Sequence, residues 1–151
     1  MDVVLVEPQI PPNTGNIVRL CAATCLPLHL VGKLGFEITD RHLKRAGLDY
    51  WNYAQIQSHP DPRKFFQTYS DNQLFFFSKK VRQSYIHANY QADSLLVFGS
   101  ETRGLPEWIF ERYEARIWRI PIFHPHVRSL NLSGAVSIVV YEALKQTGKL
   151  E

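Results

Sequence analysis

The sequence predicts an α/β protein in which a mainly parallel sheet is covered by helices on both faces. Short apolar runs of strand length alternate along the chain with segments that have helical spacing. The runs at residues 3–6, 28–31 and 95–98 are almost continuously apolar, which is typical of parallel strands buried on both faces. With 151 residues, no internal repeat and no linker, the chain is expected to form a single domain over residues 1–151.

Composition is that of an ordinary globular protein, with 45% hydrophobic and 21% charged residues. No apolar run approaches the roughly 18 residues that cross a bilayer, and no signal-like segment opens the chain. A cytoplasmic protein without membrane contact is therefore expected. Cys21 and Cys25 lie four residues apart on one predicted helix, so we expect two buried thiols rather than a disulfide.

The net charge of +3 is mild for a nucleic-acid-binding protein. Groups of like charge are more often solvated surface than phosphate sites, so these charges by themselves decide little. Basic residues fall into three groups, which are Arg41, Lys44 and Arg45, then Arg63 and Lys64, then Lys79, Lys80 and Arg82.

The first elements are a buried strand at residues 3–6 and a helix over residues 13–25. Between them, three prolines in residues 7–16 interrupt regular structure. Asn13 then stands at the start of the helix as a candidate N-cap. Arg19 lies on a different side of this helix from the inward-spaced residues Ile17, Leu20, Cys21 and Thr24.

The chain continues with a second strand at residues 28–31. A short helix is expected from Asp40, its candidate N-cap, to Ala46, with Gly47 ending it. Residues 49–57 are aromatic and partly extended, and fit either a strand or a loop.

Asp61 and Pro62 are predicted to start another helix, and residues 73–78 a strand. Residues 79–93 are polar and predict irregular structure. The apolar strand at residues 95–98 runs directly into the glycine-containing turn of residues 99–106. Pro106 suits the first turn of the helix that follows.

The last predicted elements are a strand at residues 117–120 and a long helix whose N-cap is either Ser129 or Asn131. A helix this apolar needs more than one surface to bury against, which could be its own sheet together with a ligand pocket or a second subunit. Its apolar stripe consists of Leu132, Val136, Val139, Val140, Ala143 and Leu144, widened by Ala135 and Ile138.

Three polar loops follow predicted strands, at residues 7–16, 99–106 and 123–131. Ligands of parallel sheets collect at the carboxyl ends of strands, and free backbone N–H groups at a helix start favour an electron-rich ligand. The 99–106 turn lacks the GxGxxG spacing, which argues against a dinucleotide-binding oxidoreductase. His124 and His126 are a poor metal-ligand set, so no metal is expected.

Three segments are similar to known motifs. Pro-Pro-Asn-Thr-Gly-Asn-Ile-Val-Arg at residues 11–19, Phe-Gly-Ser-Glu-Thr-Arg-Gly-Leu-Pro at residues 98–106, and Ile-Pro with Ser-Leu-Asn-Leu-Ser within residues 120–133 resemble the motifs of the SpoU-type RNA 2′-O-ribose methyltransferases of the SPOUT superfamily. The resemblance covers nearly the whole chain. The small size and residues 45–50 are most similar to the TrmL (YibK-like) branch, which methylates the wobble nucleotide of certain leucine tRNAs.

The resemblance implies an α/β fold with a deep C-terminal trefoil knot, S-adenosylmethionine bound in that knot, and a homodimer. Cofactor contacts carried over from the family are Phe77, Gly99, Leu105, Ile120, Ser129 and Leu130. Catalytic positions carried over in the same way are Asn13, Arg19, Glu101 and Asn131.

Among the catalytic positions, Arg19 is the family's candidate for assisting deprotonation. A guanidinium is a poor base, so holding a phosphate and stabilising the developing alkoxide is the alternative role. Two other functions remain open at this point: methylation of ribosomal RNA, and a non-catalytic RNA-binding or ribosome-assembly role. Neither the preference between cytidine and uridine nor the proton acceptor follows from the sequence.

Overall fold

A computed structural model describes residues 1–39, 41, 43, 45 and 49–151. Within them the chain forms a six-stranded sheet in the order β3-β2-β1-β5-β4-β6, and every strand pair in it is parallel. This confirms the predicted α/β class and the parallel sheet. The strands are β1 Asp2–Val6, β2 Leu28–Val31, β3 Ile56–His59, β4 Leu74–Phe77, β5 Leu95–Phe98 and β6 Ile117–Trp118.

Helices cover both faces of this sheet, as predicted. On one face, α1 (Pro11–Thr24) packs beside α4 (Leu132–Gln146) over a core that includes Val3 and Leu5 of β1. On the other face, α2 (Pro62–Gln67) and α3 (Glu107–Tyr113) cover the alternate residues of the same strands. Because β1, β4 and β5 contribute side chains to both cores, each of them is a continuous apolar run in the sequence.

The starts of the helices correct one prediction and decide another. α1 begins at Pro11 with Ile10 as N-cap, so Asn13 is not the cap. Proline suits this first helical position because it has no N–H to leave unpaired. At α4 the cap is Asn131 rather than Ser129, since the Asn131 side chain accepts from the Ser133 backbone N–H at 3.0 Å. The helix start predicted at Asp61 and Pro62 is confirmed, with Asp61 as the N-cap of α2 and Pro62 as its first residue.

Part of the middle of the chain differs from the prediction. Residues 49–57 contain a 3₁₀ turn, Trp51–Tyr53, before the polar strand β3 at the sheet edge. An edge strand buries less of its surface, which removes the apolar signal. Of the helix predicted over residues 40–46, the structure describes residues 41, 43 and 45, which are helical; its other residues, including Lys44 of the first basic group, lie outside the described residues.

The two cysteines are unpaired, but only one is buried. Burial raises the pKa of the Cys21 thiol to about 12. Cys25 is exposed, contrary to the prediction, because it follows α1 in the left-handed conformation with φ 55°. The last predicted strand is also shorter than expected: β6 ends at Trp118, and Arg119 continues only as an isolated bridge to Ser84.

Across the residues that the structure describes, no helix is both long and apolar enough to span a membrane.

Three polar side chains connect β1, β2 and β3 beneath Phe65. Asp2 Oδ2 lies 2.9 Å from His29 Nε2, and His29 Nδ1 lies 2.9 Å from His59 Nε2. Burial raises the pKa of Asp2, but hydrogen bonding to His29 and the nearby N-terminal ammonium outweigh it, and the net shift is downward. Partial burial and the charge of His29 lower the pKa of His59.

We expect this arrangement to make stability fall as the solution is acidified below about pH 6.5. In the unfolded chain His59 takes up a proton near that pH, whereas in the folded chain it does so only at lower pH. Acidification therefore favours the unfolded state. Asp2 acts only at still lower pH, because its stabilising effect is present above its unfolded pKa of 3.8. His59→Gln should therefore lose less thermal stability than the wild type between pH 7.5 and pH 5.5. His87→Gln, at an exposed position, is the control, and equal losses in all three proteins would contradict the expectation.

Candidate functional site

A cleft of about 500 Å³ opens at the carboxyl edge of the sheet. Its floor is formed where β4 and β5 end, at Phe77 and Phe98, whose rings stack at 4.8 Å. Its walls come from the turn after β5 and from the segment that leads into α4. All six residues carried over as cofactor contacts line this cleft: Phe77, Gly99, Leu105, Ile120, Ser129 and Leu130.

The wall after β5 is a tight glycine turn. Ser100 and Gly104 exchange backbone hydrogen bonds of 3.2 and 2.9 Å, and Ser100 Oγ accepts from the Arg103 N–H. Gly104 has a φ of +69°, which favours glycine. A Cβ on Gly99 would lie 2.1 Å from the carbonyl carbon of Gly104, so the turn closes directly onto this residue.

Glu101 connects this turn to the start of α1 through hydrogen bonds. Its carboxylate accepts hydrogen bonds from the backbone N–H groups of Gln9 at 2.8 Å and Ile10 at 3.2 Å. The Asn13 side chain donates to the same carboxylate at 3.3 Å. A carboxylate at a helix start pairs with N–H groups that have no partner within the helix, and interacts favourably with the helix dipole.

A second link joins Asn13 to the last segment of the chain. The Asn131 amide donates to Asn13 Oδ1 at 2.9 Å, while Asn131 Oδ1 caps α4. The three segments that carry the family motifs are thus connected by the side chains of Glu101, Asn13 and Asn131. All three side chains stand at the cleft.

Arg19 is the one proposed site residue that does not line the cleft. Six residues beyond Asn13 on α1, it lies about 9 Å further along the helix axis. Its side chain is exposed, and the guanidinium carbon lies 4.8 Å from the centre of the Tyr50 ring. The guanidinium is accessible to a ligand that approaches from outside the cleft.

Several lining residues were not predicted from the sequence. Lys79 and Lys80 begin two residues after the end of β4, and this position near a strand's carboxyl end could have indicated them. Ile10, Phe110 and Ile122 also line the cleft, but nothing in their local sequence distinguishes them from other apolar residues.

Lys79 also holds the segment before α4. Its ammonium donates to the backbone carbonyl of Arg128 at 3.0 Å, next to the cleft residue Ser129. Among the described residues the Lys80 ammonium has no such backbone contact, and it lies over the Phe110 ring at 5.2 Å. The two neighbouring lysines therefore have different partners, a backbone carbonyl for Lys79 and an aromatic ring for Lys80.

We expect Lys79→Met to weaken S-adenosylmethionine binding about three- to tenfold, because it removes one exposed hydrogen bond that positions Ser129 and Leu130. Isothermal titration with the cofactor measures this loss. Lys80→Met removes the same charge from the same cleft and is the matched control, for which a smaller change is expected. Equal losses in both variants would indicate an effect of charge and not of the hydrogen bond.

The cleft suits a nucleoside cofactor. Its volume falls within the range of small-molecule sites, and it combines apolar walls with the N-terminus of α4. In the glycine turn the backbone itself forms the wall of the cleft, because a Cβ at Gly99 would not fit there. Among the described residues no cluster of side chains is arranged to hold a metal ion, and the rings of His124 and His126 lie 5.7 Å apart in an exposed loop.

Fold and site together define an α/β protein whose glycine-turn cleft is large enough for a nucleoside-sized ligand. The chain belongs to the SpoU rRNA Methylase family, whose sequence model matches residues 1–141. The predicted family is thereby confirmed, and with it an enzyme that transfers methyl groups from S-adenosylmethionine.

Particular relatives are similar over nearly the full chain. A tRNA (cytidine(34)-2′-O)-methyltransferase of Escherichia coli (strain K12) is 46% identical over 149 residues, which are 98% of this chain and 94% of that protein. A structure described as "Structural insights into the 2-OH methylation of C/U34 on tRNA" superimposes with a TM-score of 0.89 at 40% identity, covering 96% of this chain and 94% of the other.

An AdoMet-bound rRNA methyltransferase from Sinorhizobium meliloti superimposes with a TM-score of 0.82 at 25% identity. The match covers 95% of this chain but only 55% of that one, so the shared part is the domain described above.

Proposed function

We propose that this protein is an S-adenosylmethionine-dependent methyltransferase that modifies the ribose 2′-oxygen of nucleotide 34 of tRNA, the wobble position. The observation that carries the proposal is the joining of the three motif segments at one cleft by the Glu101, Asn13 and Asn131 side chains. The nearly full-length similarity to a tRNA (cytidine(34)-2′-O)-methyltransferase supports the choice of substrate.

In the proposed reaction a ribose 2′-oxygen would form a bond to the methyl carbon as the sulfur–carbon bond breaks. The electron pair of that bond would stay on sulfur, giving S-adenosylhomocysteine, and the hydroxyl proton would pass to solvent. The cofactor, when bound, supplies the activated methyl group. The chain positions the two reactants and excludes water between them, which accounts for a large part of the rate in such displacements. Gly99, Leu105 and Leu130 form the walls of the cleft where the cofactor is proposed to bind.

Glu101, Asn13 and Asn131 are proposed as positioning residues. Both carboxylate oxygens of Glu101 already accept backbone N–H groups, so this side chain is engaged in holding the loops. The Asn13 and Asn131 amides are likewise paired with each other. These contacts favour a rigid site over direct proton transfer by any of the three.

Arg19 is proposed to act on the RNA. A guanidinium is a poor proton acceptor, but its planar set of donors matches a phosphate. A fixed positive charge close to the reacting ribose also stabilises the developing alkoxide. Its exposed position outside the cofactor cleft agrees with contact to substrate and not to cofactor.

The assembly is proposed to be a cytoplasmic, single-domain homodimer with a C-terminal trefoil knot, as the family resemblance implies. Ile138 and Tyr141 leave apolar surface exposed on α4, at 38% and 49%, which fits a second copy of the chain. Leucine tRNAs are the proposed substrates. Two alternatives carried from the sequence are a ribosomal RNA substrate and a non-catalytic RNA-binding or ribosome-assembly role, and the family description names ribosomal RNA.

The test is transfer of labelled methyl from S-adenosylmethionine to total tRNA from cells that lack this modification, followed by nucleoside analysis. We expect a 2′-O-methylated pyrimidine from nucleotide 34, in leucine tRNAs. A leucine tRNA with a 2′-deoxyribose at nucleotide 34 is the matched control, since it lacks only the attacking oxygen. Transfer to ribosomal RNA alone would replace the substrate, and saturable cofactor binding without transfer to any RNA would favour the non-catalytic role.

A further inference from the structure

One aromatic side chain stands almost free in solvent at the rim of the cleft. Phe123 is 95% exposed. Its neighbour Ile122 lines the cleft, and so does Ser129 further along, while residues 123–128 between them are all exposed. The loop of residues 123–128 is thus an outward bulge whose two ends are fixed in the cleft wall.

The loop is ordered by its own contacts. The Val127 N–H donates to the His124 carbonyl at 3.2 Å, and the His126 N–H donates to His124 Nδ1 at 3.2 Å. Lys79 holds the carbonyl of Arg128 from the other side. With the backbone held at these points, the aromatic ring is presented outward instead of folding back onto the core.

The loop that carries this ring has no acidic residue, and Glu101 in the adjoining cleft already accepts hydrogen bonds from the backbone N–H groups of Gln9 and Ile10. From Arg119 to Asn131 the chain contains no aspartate or glutamate, while Arg119 and Arg128 lie within it. Lys79 and Lys80 line the adjoining cleft. A bare aromatic ring beside several cations suits a ligand that offers both a flat π-face and negative charge, which is the chemistry of single-stranded nucleic acid.

We propose that Phe123 is a stacking platform for an unpaired nucleobase next to the ribose that is methylated. This inference rests on the proposed function. For the 2′-oxygen to enter the cleft, the anticodon loop must pass over its rim, where a base that is splayed out of the loop meets the ring. Unstacked bases of RNA loops are commonly bound in this way on aromatic side chains.

The test compares Phe123→Leu with Phe123→Trp. We expect Phe123→Leu to raise the Kd for tRNA about tenfold, because it keeps an apolar side chain but loses the aromatic face. Phe123→Trp should bind within about twofold of wild type. Val127→Ala, which removes apolar surface from the same loop, should leave the Kd for tRNA and the methylation rate nearly unchanged. Cofactor affinity without RNA should be equal in all four proteins.

The stacking itself is tested with tRNAs that carry an abasic site on either side of nucleotide 34. One of them should bind wild type and Phe123→Leu equally well, since the base that meets the ring is then missing. Tight binding of intact tRNA by Phe123→Leu would overturn the inference. The inference would also be overturned if Phe123→Leu weakened the binding of both abasic tRNAs as much as that of intact tRNA. The same holds if Phe123→Leu lost cofactor affinity or dimerisation instead of tRNA affinity.

Failure of this inference is distinguishable from failure of the proposed function. If wild type transfers no methyl group to tRNA, the proposed function is wrong. If wild type methylates nucleotide 34 and Phe123→Leu binds and methylates equally well, only the role of Phe123 is wrong.

Discussion

Gly99→Ala is expected to abolish S-adenosylmethionine binding and to lower the stability of the folded chain. A Cβ at this position would lie 2.1 Å from the carbonyl carbon of Gly104 and 2.3 Å from the amide nitrogen of Leu105. Both are backbone atoms of the turn that Glu101 and the Ser100–Gly104 hydrogen bonds hold in place, so no flexible side chain can yield. Either the turn opens, which removes a wall of the cleft, or strand β5 shifts.

The cost of this overlap is about 3 kcal/mol, because overpacking against rigid surroundings destabilises by that order. For a domain of this size it corresponds to a fall of about 6–12 °C in Tm. Differential scanning calorimetry measures the stability, and titration calorimetry measures the cofactor affinity.

Gly134→Ala is the matched control for the same chemical change. Gly134 lies near the start of α4, and in the described part of the chain no neighbouring atom comes within 4 Å of the position its Cβ would take. In a helix this replacement stabilises by about 0.5–1 kcal/mol, so Tm should rise slightly and cofactor binding should persist. If Gly99→Ala bound the cofactor as the wild type does, the glycine turn would not be a wall of the binding site.

Arg19→Ala is expected to lower the rate of methyl transfer about a hundredfold or more while cofactor affinity stays within about twofold of wild type. The expected loss in rate follows from the proposed role of Arg19, in which its fixed positive charge stabilises the charge that develops in the transition state. The unchanged affinity follows from geometry, since Arg19 does not line the cleft. Loss of its contact with Tyr50 should cost little stability, because exposed cation–π pairs contribute about 0.5–1 kcal/mol.

Single-turnover methylation at saturating tRNA separates this effect from weakened RNA binding. Arg19→Lys keeps the charge but loses the planar donor set, and we expect it to recover only part of the rate. Arg112→Ala serves as the control for removing an exposed arginine, since α3 packs on the opposite face of the sheet from α1. A large loss of cofactor affinity in Arg19→Ala would show that Arg19 acts on the cofactor.

The elements that the sequence predicted correctly are those with a strong local signal. The runs at residues 28–31 and 95–98 were recognisable as strands, because a strand that is buried on both faces needs apolar residues at every position. Asp61 was recognisable as a cap because its side chain bonds to a backbone N–H only three residues away. The region of strand β3 was left open between strand and loop, because an edge strand with Gln57 and Ser58 exposed carries no such pattern.

The candidate site was found in the sequence through motif resemblance, and nine of its ten proposed residues line one cleft. What holds them together was not readable from the sequence. Asn13 looked like a helix cap, yet its side chain bonds to Glu101 and Asn131, which are 88 and 118 positions away along the chain. The position of Arg19 outside the cleft, and of Phe123 at its rim, likewise follows only from the folded chain.

By itself the sequence determined the alternation of strands and helices, the apolar faces and the residues of the three motifs, because these depend on spacing within a few residues. Only the tertiary structure decided which polar groups meet, which strand lies at the sheet edge and which side chains face the cleft. Such contacts join segments that the strand order β3-β2-β1-β5-β4-β6 brings together from distant parts of the chain. The energies of these contacts depend on distances between residues that are far apart in the sequence, and the local periodicity of the sequence does not reveal those distances.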